Sequence, residues 1–199
     1  MTGNFKITLA HLKELGACRD GQREFQKAFP NGGEYQEVLD CCTKEGRIDF
    51  GLWLLAHVGT TEDVRVYEDA VNSPGEYIMF AGSVEFKAGA NVRFLAAGGD
   101  IEAGRGIKAG ESIEAGRGIK AGGDIEAGLG IKVGLGIKVG LGIKVGGEIK
   151  SVLGYGIYAG VSVPVKDWYR FAVVSAKAKP EYLLSGHWKP LEGTDAQTT

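Results

Sequence analysis

From Ile101 the chain repeats every six residues for nine cycles without a fault. Isoleucine stands at 101, 107, 113, 119, 125, 131, 137, 143 and 149, and each is followed by Glu or Lys. Ala or Val comes next, with Ser151 closing the series, and Gly occupies the fourth place from 104 to 146. A fixed short period constrains architecture more than any other sequence feature. A helix would need apolar residues three and four apart, and each interior glycine would cost it about 1 kcal/mol. Collagen would need glycine at every third place with abundant proline, yet no proline lies between Pro74 and Pro164. The triplet Ile-Lys-Val instead alternates in, out, in, as a very short strand does. Gly-x-Gly after it offers the backbone freedom of a corner. Three strands and three corners make a triangular coil of 18 residues, the unit of a parallel β-solenoid.

The charges support a coil of 18. The residue after isoleucine runs Glu102, Lys108, Glu114, Lys120, Glu126, Lys132. Stacking every 18 residues sets Glu102 under Lys120, Lys108 under Glu126 and Glu114 under Lys132, about 4.8 Å apart. A coil of 12 would stack like on like. Further along, Glu126 still meets Lys144, but Lys120 meets Lys138 and Lys132 meets Lys150. The last full coil therefore shows one lysine on each face.

The fifth place varies: Arg105, Glu111, Arg117, Gly123, Leu129, Leu135, Leu141, Gly147. Such tolerance marks a solvent-facing corner. Leu129, Leu135 and Leu141 then form a belt, one per corner. They either fold over the corners beneath a flanking segment or offer an apolar contact surface. With Lys138, Lys144, Lys150, Arg105 and Arg117 they are the candidate interface residues.

Worn repeats flank the regular ones: Gly82-Ser-Val-Glu-Phe-Lys and Ala90-Asn-Val-Arg-Phe-Leu before, and Tyr155 to Val165 after. The expected division is a helical amino-terminal cap over 1–75, a solenoid over 76–165, carboxy-terminal strands over 166–191 and a disordered tail over 192–199. In the cap, Thr8 precedes a helix ended by Gly16, and Asp20 is placed to cap a second that carries Phe25 and Phe29. Tyr35, Val38, Leu39 and Cys42 mark a third, Asp49 is placed to cap a fourth, and a weaker fifth spans Glu62 to Val71. After the solenoid, two strands joined through Lys177-Ala-Lys-Pro read as a β-hairpin. The fold class is mainly β, with a right-handed coil favoured by the Gly-x-Gly corners.

No catalytic or cofactor-binding constellation emerges, so no enzyme activity, cofactor or metal is expected. The histidines His11, His57 and His187 lie outside the regular coils, which removes the general base that hexapeptide-solenoid acyltransferases use. Cys18, Cys41 and Cys42 form neither a disulfide framework nor a zinc motif. Only Asp100 and Asp124 punctuate the coils, too few for calcium-binding repeats, and 98–151 holds no threonine for an ice-binding ladder. With no signal region and no run of 18 apolar residues, a cytoplasmic setting without a membrane partner is expected. Residues 1–97 carry net −4 and the regular coils only net +1, so nucleic acid is an unlikely partner.

Two resemblances bear on the role. Repeats such as Gly-Gly-Asp-Ile-Glu-Ala-Gly resemble those of the bactofilins, bacterial cytoskeletal proteins that polymerise end to end through a right-handed β-helix. This chain departs from them in carrying long segments before and after the solenoid. The run Leu12-Lys-Glu-Leu-Gly-Ala-Cys-Arg-Asp-Gly, with Phe25 and Phe29-Pro30, resembles a segment of uncharacterised phage and prophage proteins, some of which carry Ile-Glu-Ala-Gly repeats. These resemblances imply an accessory protein that binds a host protein, of the counter-defence, anti-CRISPR kind, in the host-cell cytoplasm. The alternative is a self-assembling structural protein. A capped rod would reach a homodimer, and an uncapped one a filament.

Overall fold

The computed structural model describes residues 5–191. It opens with four helices, α1 (Leu9–Glu14), α2 (Arg19–Ala28), α3 (Tyr35–Lys44) and α4 (Ile48–His57), tied by the antiparallel pair β1 (Lys6–Ile7) and β2 (Gly33–Glu34). Thr8 caps α1 by accepting from the His11 amide at 3.2 Å, and Gly16 ends it at φ +80°. The cap of α2 is the Cys18 sulfur, which accepts from Gly21 N at 3.3 Å, while Asp20 lies inside the first turn. Asp49 likewise sits in the first turn of α4 and caps nothing, because the helix begins one residue earlier. The expected stripe of Tyr35, Val38, Leu39 and Cys42 is buried against Leu12, Phe25 and Leu54. The Tyr35 hydroxyl stands 3.1 and 3.2 Å from the carbonyl oxygens of Leu54 and Gly59, which satisfies the polar tip of a buried ring.

The fifth helix does not form. Val64-Arg-Val-Tyr alternates, and the chain there is already the first coil, with β3 (Val64–Tyr67) and β4 (Val71–Phe80). The worn repeats follow as β5 (Ser83–Phe86) and β6 (Ala90–Ala97). Each regular triplet is one strand: β7 (Ile101–Ala103), β8 (Ile107–Ala109), β9 (Ile113–Ala115), β10 (Ile119–Ala121), β11 (Ile125–Ala127), β12 (Ile131–Val133), β13 (Ile137–Val139), β14 (Ile143–Val145) and β15 (Ile149–Ser151). The last strands are β16 (Ile157–Tyr158), β17 (Val173–Ala176), β18 (Leu183–Ser185) and β19 (His187–Pro190).

These strands stack in parallel on three faces. The first face is β3-β5-β7-β10-β13-β16-β18, which makes seven turns. The second is β8-β11-β14-β17-β19 laid on the leading halves of β4 and β6, and the third is β9-β12-β15 laid on their trailing halves. The register in the regular coils is 18 residues: Ile101, Ile119 and Ile137 align, with Glu102 under Lys120 and Lys120 under Lys138. Glu126 pairs with Lys108 and Lys144, and Lys132 with Glu114 and Lys150. The isoleucines and the Ala or Val two places on point inward and close the core.

The corner glycines are needed for a reason other than dihedral freedom. None of those at 104 to 146 adopts a positive φ. A Cβ on Gly122 would lie 2.2 Å from the carbonyl oxygen of Gly104, and one on Gly140 would lie 1.9 Å from that of Gly122. At every such corner but that of Gly110, successive coils approach so closely that only a hydrogen fits between them.

At the carboxy-terminal end the expected hairpin is absent. β18 adds in parallel to β16 and β19 to β17, so this segment continues the coils. An excursion over 160–172 separates β16 from β17, with a 3-10 turn (Val165–Asp167) and α5 (Trp168–Phe171). The tail expected over 192–199 lies outside the described residues.

The helices cover one face of the rod rather than its whole end. Outward-pointing Met79, Ala81, Phe94 and Ala96 of the third face are buried in the helical core. The Gln36 side-chain amide donates to Met79 O at 2.9 Å, and its oxygen accepts from Ala81 N at 3.0 Å. One side chain thus occupies the free edge of β4 as a neighbouring strand would. Among the described residues no strand pairs with the outer edge of β3. There the core is closed from within by Tyr67 stacked on Phe86 at 4.9 Å and by Arg65 lying 4.5 Å over the Phe80 ring.

Candidate functional site

The candidate interface residues are spread around the rod. Leu129, Leu135 and Leu141 sit on three different corners, each bonded to the corner one coil below, at Glu111, Arg117 and Gly123. Leu129 is 60% exposed, whereas Leu135 and Leu141 are partly covered. Lys138, Lys144 and Lys150 occupy the first, second and third faces. Arg105 shares its corner with Leu141, and Arg117 shares its own with Leu135. Arg117 pairs with Asp100 at 3.7 Å and Lys150 with Glu148 at 2.8 Å. The belt encircles one coil and converges nowhere.

Concavity lies instead where the helical unit meets the rod. A groove of about 740 Å³ runs between α4 and the third face. Leu52, Trp53 and Leu55 form one wall, Glu114 and Lys132 the other, and Val152 with Leu153 stand at its far end. The volume is in the range that takes a ligand or a peptide side-chain cluster. Trp53 is fixed between its helix neighbours, with ring centroids 5.9 Å from Phe50 and 4.4 Å from His57. The i, i+3 and i+7 spacing makes that stack a ridge along α4. A second hollow of about 700 Å³, lined by Cys18, Arg47, Phe50 and Trp53, opens on its other side. Tryptophan on such a ridge is the residue type that most often anchors a protein contact.

The polar groups of the groove are few. Burial pushes the Glu114 carboxyl above its usual range, an effect that Lys132 opposes and Asp49 reinforces. Among the described residues no group of three or more His, Cys, Asp or Glu side chains is placed to hold a metal ion. No helix among them is long and apolar enough to cross a membrane.

The groove residues escaped the repeat-based reading, although two signals were present. α4 is apolar nearly all round, which marks a helix contacted on more than one side. Val152 stands where the repeat calls for glycine and opens the first irregular corner after the regular coils. Only the fold brings the two segments together.

Residues 1–59, which span all four helices, match the family model described as the YdhT N-terminal domain. No curated protein and no solved structure matches the chain. The similarity to a known family therefore lies in the helical unit that walls the groove, and the chain outside that unit carries the β-solenoid.

Proposed function

We propose that this protein is a non-catalytic scaffold that binds a host protein, acting as a phage or mobile-element accessory of the counter-defence type. The observation that carries the reading is the groove between α4 and the third face. Its α4 wall is half-buried and its Val152–Leu153 end is exposed, its central Trp53 is held in a ring stack, and both walls belong to regular elements. A preorganised site of this kind loses little entropy on binding. It suits an apolar segment of a partner protein, which would lie along α4 and end over Val152 and Leu153. The match to a family domain over the same helices supports treating them as the specialised part and the rod as its support.

End-to-end assembly, the bactofilin-like alternative, has less support. The outermost strand β4 carries Pro74 and a register shift between Ser73 and Tyr77, and β3 points Arg65 inward. Proline, bulges and inward charges are the usual devices that stop strand addition at an edge.

The test places a photo-crosslinking amino acid at Leu153, in the groove, and separately at Asn91, on the second face. Partner adducts in host cells are expected at Leu153 only, and Trp53→Ala should abolish them while leaving the circular dichroism spectrum unchanged. Equal adducts at both positions, or adducts indifferent to Trp53→Ala, would overturn the proposal.

A further inference from the structure

The outward side chains of six successive strands of the first face, from β3 to β16, are Val66, Glu85, Glu102, Lys120, Lys138 and Tyr158, and β18 follows with Ser185 in register with Tyr158. Consecutive members are paired directly in the strand register. The order is apolar, acid, acid, base, base, apolar. Turned end for end, these six rungs become their own complement, with β18 lying beyond them. Val66 and Tyr158, the outermost of the six, are almost equally exposed, at 42% and 41%. Within the chain Lys120 reaches Glu102 at 3.3 Å, while Lys138 makes no ion pair among the described residues.

From this column we propose that the first face binds the same face of a second copy, antiparallel, about a two-fold axis between the Glu102 and Lys120 rungs. Each Glu102 then faces Lys120 of the partner copy, each Glu85 faces Lys138, and each Val66 faces Tyr158. All six positions are used twice, as an isologous contact requires. Electrostatics selects the direction, since a parallel pair would set glutamate on glutamate and lysine on lysine. The other faces offer no such match. On the second, Asn91 would meet Lys144 with no acid, and the third is covered at one end by the helices.

Six facing strands about 4.8 Å apart and a face about 20 Å wide give roughly 500–600 Å² per copy. The total of about 1,000–1,200 Å² sits at the lower edge of stable interfaces, so the dimer is expected to dissociate in the micromolar range. The groove lies on another face and stays open in the dimer.

Sedimentation velocity from about 1 to about 100 µM tests this on the whole protein. The expected result is a monomer–dimer equilibrium whose dissociation constant rises at least about tenfold between roughly 0.05 and 0.5 M salt. Lys120→Glu/Lys138→Glu and Glu85→Lys/Glu102→Lys should each be monomeric alone and form a heterodimer when mixed. Tyr158→Glu, one exposed substitution, should weaken the wild-type dimer at least about tenfold and decides the matter if a charge-reversed variant fails to fold. A wild-type monomer throughout, a mass climbing past two copies, folded charge-reversed variants that stay monomeric when mixed, or a dimer indifferent to Tyr158→Glu would each overturn the proposal.

Discussion

Replacing Gly122 by alanine puts one methyl group into a contact between coils, and the cost can be worked from distances. The new Cβ would lie 2.2 Å from the Gly104 carbonyl oxygen and 3.1 Å from its carbon. Relieving this requires the two coils to part by about 1 Å at that corner, since ordinary contacts begin near 3.4 Å. The hydrogen bonds that close the corner are Gly122 N to Ala103 O at 3.0 Å and Gly123 N to Arg105 O at 3.1 Å. Both would stretch past useful length, at about 1 kcal/mol each. Overpacking strain adds about 1–2 kcal/mol, for a total near 3 kcal/mol and a fall in Tm of about 6–12 °C. Gly110 is the control, because its Cβ would lie 3.7 Å from the nearest atom, Arg93 O. Neither glycine has a positive φ, so Gly110→Ala should be neutral or stabilising by up to about 1 kcal/mol. Urea denaturation followed by far-ultraviolet circular dichroism measures both. If the two variants unfold within about 0.5 kcal/mol of each other, close approach is not what selects glycine at the corners.

Two further outcomes follow from buried ionisable groups. Because burial raises the Glu114 pKa, the native state holds this proton more tightly than the unfolded chain does. Its contribution to stability is then fullest below the usual carboxylate range and is lost as pH rises through it. Glu114→Gln should therefore stabilise the protein at pH 7 by less than about 1 kcal/mol and lose that advantage near pH 4, as thermal melts across pH would show. The Cys42 thiol is pushed up to about 12, chiefly by burial, while Cys18 is exposed. A disulfide-exchange reagent at neutral pH should label Cys18 quickly and Cys42 only on unfolding. Above about pH 8.5, where an unfolded thiol ionises, wild-type stability should decline more steeply than that of Cys42→Ala.

The regular coils were fully legible because their signals agree. Alternation set the strands, and the Glu/Lys sequence set the period at 18 through the partners it allows. Where residues are less uniform, the reading slipped. Val64-Arg-Val-Tyr has a strand's period of two, but charged neighbours at 62, 63, 68 and 69 gave it the look of a solvent-facing helix. The last strands carry the sequence signature of a hairpin, because a short link usually joins antiparallel neighbours. Here the link through Pro180 carries the chain from the second face past the third to the first instead. The placement of the helices did leave a trace, since Phe94-Leu-Ala-Ala is apolar on both sides and so must be covered outside as well as in. For the groove the traces are only the all-round apolarity of α4 and Val152 in a glycine place, and neither says that the two segments meet. The groove and the self-complementary column both depend on which residues, far apart in the chain, share a face.

The repeat also works as an index. Six residues carry the chain to the next face and 18 return it one coil further on, so repeat number sets angle as well as length. Loss or gain of a single hexad in the regular coils would rotate everything beyond it by a third of a turn. Tyr158 would leave the column of Glu102, and Val152 with Leu153 would leave the face that α4 overlooks. Three hexads together would lengthen or shorten the rod by about 4.8 Å and keep every column in phase. Length can thus drift in whole coils, whereas any other change in repeat number rewires one end of the molecule relative to the other.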